Sequence, residues 1–260
     1  MTKNFSLYSS YYDLINSGKD YEAEARYIDE LINDYSTIST NSILDIGCGT
    51  GIHAEILSTK GKSVLGIDSS KTMLELAKKR IKNKENIHLE FDYGDARSYR
   101  CNKNFDVVTS LFHVMNYQTS DKDIHDAIET ASFHLKENGL FIFDFWYEPA
   151  VIFQKPSARI KELENDQIII KRQANPIHKQ EENTVEVNFT ISVEDKFTSE
   201  IKTFKELHKM RYFNIPELQS FLDIFDIEVV RAEEWITGNE PSKDSWGVCI
   251  VARKCPKKKN

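Results

Sequence analysis

Apolar and polar positions change rhythm along the chain, and each rhythm predicts a different kind of element. Around residues 20–34 the apolar residues Tyr27, Ile28, Leu31 and Ile32 recur at helical intervals, which predicts an amphipathic helix. From Ile43 to Trp146 short apolar runs alternate with helical periods, the pattern of a parallel sheet with crossover helices. The clearest of these helices carries Ile124, Ala127, Ile128, Ala131 and Leu135, with Asn138-Gly139 as its expected end. Leu140-Phe141-Ile142-Phe143-Asp144-Phe145-Trp146 is almost unbroken, as a central strand buried on both faces should be.

After Pro149 the rhythm shifts to a period of two. Residues 166–174, 183–194 and 201–213 alternate without helical patterns between them. Val185, Val187, Phe189 and Ile191 point one way and Glu186, Asn188 and Thr190 the other, which predicts half-buried antiparallel strands. Pro216 to Phe225 returns to a helix, and Asp226–Val230 with Trp246–Ala252 predict a closing antiparallel edge. The fold class is therefore α/β, a mostly parallel sheet with flanking helices and an inserted small antiparallel sheet. Ligands bind at the carboxyl ends of such parallel strands, so the insert is expected to serve as lid and substrate wall.

Within this frame stands the run Leu44-Asp45-Ile46-Gly47-Cys48-Gly49-Thr50-Gly51, followed by Ile52-His53-Ala54-Glu55-Ile56-Leu57 as the start of a helix. A strand, a glycine-rich turn and a helix form the place where an α/β sheet holds a nucleotide-like ligand. Gly47, Gly49 and Gly51 allow a sharp turn and close approach of a ligand. A dinucleotide fingerprint would need its third glycine at position 52, where Ile52 stands, and this disfavours a nicotinamide dehydrogenase. Asp45 sits where a carboxylate can order the turn and attract a cationic ligand.

This motif resembles the first motif of the class I S-adenosylmethionine-dependent methyltransferases, and the resemblance continues in order. Ser63-Val64-Leu65-Gly66-Ile67-Asp68 looks like the second strand ending in an acid, which implies that Asp68 holds the ribose hydroxyls. Ser69-Ser70-Lys71-Thr72-Met73-Leu74 opens the next helix, with Ser69 beside the cofactor and Met73 at the position that packs on adenine. Phe91-Asp92-Tyr93-Gly94-Asp95-Ala96 resembles the third motif, in which Gly94, Asp95 and Ala96 border the cofactor and Asp95 accepts from the adenine amino group. Phe105 to Phe112 resembles the fourth, a strand leading into the reaction site. The resemblance implies a Rossmann-like, seven-stranded sheet with S-adenosyl-L-methionine as cofactor. Residues 1–155 and 214–255 would form the cofactor-binding core with an N-terminal helical cap, and residues 156–213 the insert.

Composition narrows the substrate. A formal net charge of −7 over 260 residues leaves no excess of positive charge to displace counterions, which argues against a nucleic-acid substrate. The segment after the fourth motif also lacks an Asn-Pro-Pro-Tyr type of base-stacking motif. No stretch approaches the roughly 18 apolar residues of a membrane span. Met1-Thr2-Lys3-Asn4-Phe5 carries no signal-like apolar region, and the expected location is cytoplasmic. Lys257-Lys258-Lys259 reads as a solvated tail. Cys48, Cys101, Cys249 and Cys255 lack metal spacing, the histidines are dispersed, and no metal is expected.

A narrower resemblance covers most of the chain. Tyr12-Asp13-Leu14, Gly18-Lys19-Asp20-Tyr21-Glu22-Ala23-Glu24-Ala25, Leu111-Phe112-His113-Val114-Met115-Asn116-Tyr117 and Asp144-Phe145-Trp146-Tyr147-Glu148-Pro149 are similar to segments of the N-methyltransferases that act on amino groups of nucleotide-linked deoxysugars. This implies that Tyr12 closes over cofactor and substrate and that Tyr117 lies on the substrate side. His113, Tyr117 and Asp144 are the candidates for a base or orienting group. His208 and Arg211 are candidates to face the substrate from the insert. The chain departs from that family in having Asp68 in place of the usual Glu. It also has Pro241-Ser242-Lys243-Asp244-Ser245-Trp246-Gly247 where an arginine-containing segment helps to hold the diphosphate. Lys243 offers a point charge there but no bidentate fork.

The resulting expectation is methyl transfer to a small molecule, with the amine of a nucleotide-linked sugar as the leading acceptor. The alternatives are an O-methyltransferase acting on a surface-polysaccharide precursor or phosphorylated metabolite, and a non-catalytic S-adenosylmethionine-binding partner subunit. A homodimer is a candidate assembly.

Overall fold

The computed structural model describes residues 11–84 and 87–256, so Met1–Phe5 and the Lys257–Lys259 run lie outside the described residues. A short helix α1 (Tyr12–Ile15) leads into α2 (Tyr21–Tyr35), where the Asp20 side chain accepts from the Ala23 amide as an N-cap. Strands and helices then alternate: β1 (Ser42–Ile46), α3 (Ile52–Thr59), β2 (Ser63–Asp68), α4 (Lys71–Ile81), β3 (Leu89–Tyr93) and β4 (Phe105–Ser110). A 3-10 turn, Val114–Tyr117, precedes α5 (Asp121–His134), β5 (Leu135–Trp146) and α6 (Glu148–Gln154). Next come β6 (Arg159–Glu164), β7 (Ile168–Lys179), β8 (Thr184–Asp195) and β9 (Ile201–Arg211), then α7 (Ile215–Asp223), β10 (Ile227–Glu234) and β11 (Gly247–Lys254).

The main sheet has seven strands in the order β10-β11-β5-β4-β1-β2-β3. β1 to β5 pair in parallel, while β11 runs antiparallel to both β5 and β10. Successive residues of its strands enter opposite apolar layers. Leu44, Ile46, Phe141 and Phe143 pack with Ile124 and Ile128 of α5 and Leu218 and Leu222 of α7. Ile43, Val64, Leu140 and Ile142 pack with Ile28 and Leu31 of α2, Leu57 of α3 and Leu74 of α4. This double burial explains why β5 reads as a continuous apolar run rather than an alternation. Strand order reverses between β1 and β4, which sets a crevice at their carboxyl ends.

The four strands β6 to β9 form a separate antiparallel sheet, with β6 at one edge and β9 at the other. Its inner face follows the expected alternation: Val185, Val187, Ile191 and Val193 are buried, while Asn188 is exposed. The sheet sits at the carboxyl ends of the parallel strands. At one end Tyr11 stacks on Phe204 at 6.2 Å, and Lys161 donates to the carbonyl of Ile15. At the other, Asn116 of the 3-10 turn donates to the Arg211 carbonyl and accepts from the Trp146 amide.

Two elements depart from the periodicity. The helix expected to run to Asn138-Gly139 stops at His134, and Leu135 already pairs with Phe105 in extended backbone. His134 is pinned on both sides, Nδ1 to the Thr130 carbonyl and Nε2 to the Cys101 amide. Asn138, in left-handed backbone at φ 62°, belongs to the irregular start of β5 instead. The first strand of the insert, β6, lies within the expected insert but outside its alternating runs, because the register places Arg159, Lys161 and Leu163 on one face rather than an apolar series.

Candidate active site

The glycine turn is built by backbone constraints that only its sequence satisfies. The amides of Gly47 and Cys48 both donate to the Ile67 carbonyl, folding the end of β1 toward β2. Gly47 lies at φ 76°, and a Cβ there would stand 2.5 Å from Val114 Cγ2, so the loop and the 3-10 turn are in direct contact. Gly51, at φ 78°, is the N-cap of α3, and a Cβ there would meet the Phe91 ring at 2.5 Å. Gly49 differs: at φ 57° it would place a Cβ with nothing within 4 Å, on the open side of the turn. That open side leaves room for another group to approach the backbone.

The acids expected around this turn occupy different environments. Asp68 at the end of β2 accepts from the Gly49 amide at 2.9 Å and the Ser70 amide at 2.7 Å. Burial pushes its carboxyl up, against the pull of those two amides. Ser69 is exposed beside it, and Met73 is buried in the first turn of α4 with its amide bonded to the Ser70 hydroxyl. The Gly94 amide donates to the Asp68 carbonyl, so the ends of β2 and β3 are tied together. Asp95 is gripped by Arg97, whose Nε and NH2 lie 2.8 and 2.6 Å from its two oxygens, and this pairing holds its carboxyl below the usual range. Ala96 packs against the apolar layer next to it. Asp45 is buried and accepts from Thr109 Oγ1 at 2.8 Å; it makes this link to β4 rather than to the turn. Burial raises its pKa.

The far wall of the crevice comes from β4, β5 and the N-terminal cap. Phe112 and His113 both adopt left-handed backbone, at φ 65° and 66°, which is uncommon for side chains of this size and marks a constrained turn. The His113 amide donates to both oxygens of Asp144 at 3.1 Å. Its Nδ1 stands 2.7 Å from Asp144 Oδ2, out of line for an ideal hydrogen bond. Burial alone would raise the Asp144 carboxyl, but His113 and Lys19 outweigh it and hold the group below the usual range. Tyr12 meets Phe112 edge-on at 6.5 Å, and His113 meets Trp146 edge-on at 5.9 Å.

Several residues of this region were not singled out from the sequence. Lys19 lies 3.9 Å above the Phe112 ring and pairs with Glu24, which also bonds His53 Nε2 at 2.7 Å. Burial lowers the Lys19 pKa. Asp13 accepts from Thr50 Oγ1 at 2.7 Å and pairs with Arg80, whose Nε donates to the Thr50 carbonyl. These bonds strap the cap onto the glycine turn. Asp13 and Lys19 stood inside segments already noted, whereas Arg80 had no local signal.

The insert contributes Tyr117's partner. Tyr117 Oη lies 2.7 Å from His208 Nδ1, and His208 Nε2 lies 3.1 Å from Glu206 Oε2. Arg211, expected as a candidate to face the substrate, is instead spent on Asp121 and Glu217 and joins the insert to α5 and α7. Lys243 lies 4.0 Å above the Phe153 ring of α6. Cys48 is a neutral thiol raised well above its usual pKa by burial. Among the described residues no cluster of three metal-ligating side chains occurs. No helix among them is long and apolar enough to cross a membrane.

Known proteins resemble this chain in sequence and in fold. Residues 43–139 match a family described as a methyltransferase domain. A dTDP-3-amino-3,4,6-trideoxy-alpha-D-glucopyranose N,N-dimethyltransferase of Streptomyces venezuelae is 27% identical over 80% of this chain and 85% of its own length. An S-adenosylmethionine-dependent methyltransferase from Clostridium acetobutylicum superposes with a TM-score of 0.79 at 21% identity, over 95% of this chain and 97% of that one. An amino pentose methyltransferase from Micromonospora echinaspora, solved with S-adenosylmethionine bound, gives 0.75 at 21% identity, over 98% and 99%. At these identities the structural likenesses establish the fold.

Proposed function

We propose that this chain, a class I S-adenosylmethionine-dependent methyltransferase, transfers methyl to the amine of a nucleotide-linked sugar. Methyl transfer is supported by the methyltransferase domain; a small-molecule acceptor, and within it the sugar amine, is the finer reading. The observation that carries it is the docking of the inserted sheet on the turn Val114–Tyr117, which abuts Gly47. In this reading the acceptor lies beside that docking, next to the glycine turn. Relatives of similar length are named for amino-sugar substrates, which supports the same reading.

The residues present fit the cofactor. Gly49 gives open space and Asp68 is presented at the strand end with its oxygens oriented by amides. Met73 supplies a buried apolar surface beside them. In this reading Asp68 takes the ribose hydroxyls, Met73 and Ala96 flank the adenine, and the strapped cap closes over the site through Tyr12. When bound, S-adenosylmethionine supplies a methyl group already activated on a sulfonium. The chain therefore contributes alignment, worth up to roughly 7–11 kcal/mol in favourable cases, and control of the acceptor's proton. An amine must present its lone pair, so the groups around it must accept a proton and then hold the neutral nitrogen.

A hydroxyl acceptor is the second reading, favoured by His113 beside the buried Asp144, an arrangement able to take a hydroxyl proton. The two separate in one assay. Purified protein is given S-adenosylmethionine with matched amino-sugar and hydroxyl-sugar nucleotides, and products are read by mass. Gain of one or two methyl groups on the amines alone is expected. Methylation of the hydroxyl series alone would replace the amine reading by the second.

A further inference from the structure

The inner face of the inserted sheet changes character along its length. At one end Ile170, Ile191 and Val193 close with Ile15 into an apolar cluster; at the other Val185 and Val187 close with Val151 and Tyr212. Between them the strand register sets polar groups side by side. Glu206 faces Phe189 and His208 faces Val187 on β8, and one step along, Ile191 lies between Phe204 and Arg172. The side chains of His208 and Glu206 are only 3% and 6% exposed. Burying an imidazole and a carboxylate is costly unless each finds a partner. From outside the insert His208 is met by Tyr117, the residue on the turn that abuts the glycine loop.

The order of contacts fixes the chemistry. A carboxylate only accepts, so the 3.1 Å contact with Glu206 requires the proton on Nε2 of His208. In the neutral ring Nδ1 is then the acceptor, and the 2.7 Å contact makes Tyr117 Oη the donor to it. Phe189 meets the imidazole edge-on at 5.0 Å, and Arg172 of β7 lies over the same phenyl ring at 5.1 Å. Among the described residues, the charged groups beside His208 include Glu206 on its own strand and, beyond Phe189, Arg172, and Tyr117 faces it from the core.

We propose that Tyr117, His208 and Glu206 form a relay that takes the acceptor's proton into the insert. Resting on the amine reading above, the step is as follows. The ammonium N–H bond breaks as a proton passes to Tyr117 Oη, and the phenol proton passes to His208 Nδ1. The phenol is regenerated, the imidazole becomes an imidazolium held by Glu206, and the substrate nitrogen keeps its lone pair for transfer. No electron changes hands, and the proton leaves to solvent after release of product. Tyr117 is the catalytic residue, touching the substrate; His208 and Glu206 are positioning residues acting through it.

Two measurements test this. The first needs no turnover: the imidazole ¹⁵N spectrum of the protein with S-adenosylhomocysteine bound, with His208 assigned by its loss in His208→Gln. The Nε2–H tautomer is expected, with a shift of the Nδ1 resonance in Tyr117→Phe. An Nδ1–H tautomer, or no response to Tyr117→Phe, overturns the relay whatever the substrate proves to be. The second is kcat against pH for Tyr117→Phe, His208→Gln and Glu206→Gln. A fall of about 10²-fold near neutrality is expected for the first two, recovering at alkaline pH where the amine deprotonates unaided. KM and S-adenosylhomocysteine affinity should stay within about threefold of the parent. A loss uniform across pH with a lowered Tm would show a structural role and overturn the relay. Absence of amine methylation by the parent protein would sink the amine reading instead, with the imidazole spectrum still deciding the relay.

Discussion

Gly47 and Gly49 look alike in the sequence, yet they answer to different constraints. Replacing Gly47 by Ala forces a Cβ into Val114 at left-handed backbone, and a loss of about 1–3 kcal/mol is expected in urea unfolding. Gly49→Ala shares the left-handed strain, at φ 57°, but meets no protein atom, so its cost in the free protein is smaller. Its effect should appear mainly in calorimetric affinity for S-adenosylmethionine, because the new methyl fills the open side of the turn. Equal effects of both variants on stability and binding would contradict the division of labour drawn here. Asp68→Ala should weaken cofactor binding by about 1.5–3 kcal/mol through lost charge-assisted hydrogen bonds. Unchanged affinity in that variant would remove the ribose assignment.

Among the elements, the cap is the one whose attachment is most specific. Asp13 joins α1 to both Thr50 in the glycine turn and Arg80 in α4. The Asp13 side chain is 44% exposed, so the pair adds little to stability, within about 1 kcal/mol. Asp13→Asn is therefore expected to leave Tm nearly unchanged while reducing cofactor affinity about fivefold as the cap loosens. A large drop in Tm with intact affinity would make the strap structural only. Much of this architecture was legible in the sequence. The parallel strands, the glycine turn and the strand alternation of the insert were all written in local periods and spacings. β6 was not, because one face of it carries Arg159 and Lys161, and the end of α5 was not, because Leu135 is apolar in either role. In the site, Tyr117, His113 and His208 were visible as residue types. Their pairing with His208, Asp144 and Glu206 respectively depends on long-range packing that no single segment records.

At the scale of the whole molecule, acid sets the first expected failure. Asp106 accepts from the amides of Asn41 and Ser42 and pairs with Lys136. Burial works against it, but these partners hold its carboxyl low, as His113 does for Asp144 and His53 and Lys19 do for Glu24. A carboxyl lowered on folding lends stability that is present above its unfolded value of about 4 and is lost as pH falls through the folded one. Asp45 and Asp68, raised by burial, act in the opposite sense and favour the folded chain as they protonate. Stability should thus decline below about pH 4, and Asp106→Asn should flatten that decline in denaturant titrations at successive pH values. An unaltered slope in this variant would reassign the acid sensitivity elsewhere. The strand order carries a last consequence, for the order of synthesis. β5 lies inside the finished sheet, but the strand that covers its outer edge, β11, is made after every other strand of that sheet. Until Gly247–Lys254 arrive, the most apolar strand presents unpaired backbone along Leu140–Trp146. A ribosome-bound or truncated chain is therefore exposed to self-association at this edge, on the strand that also carries Asp144 and Trp146 of the site.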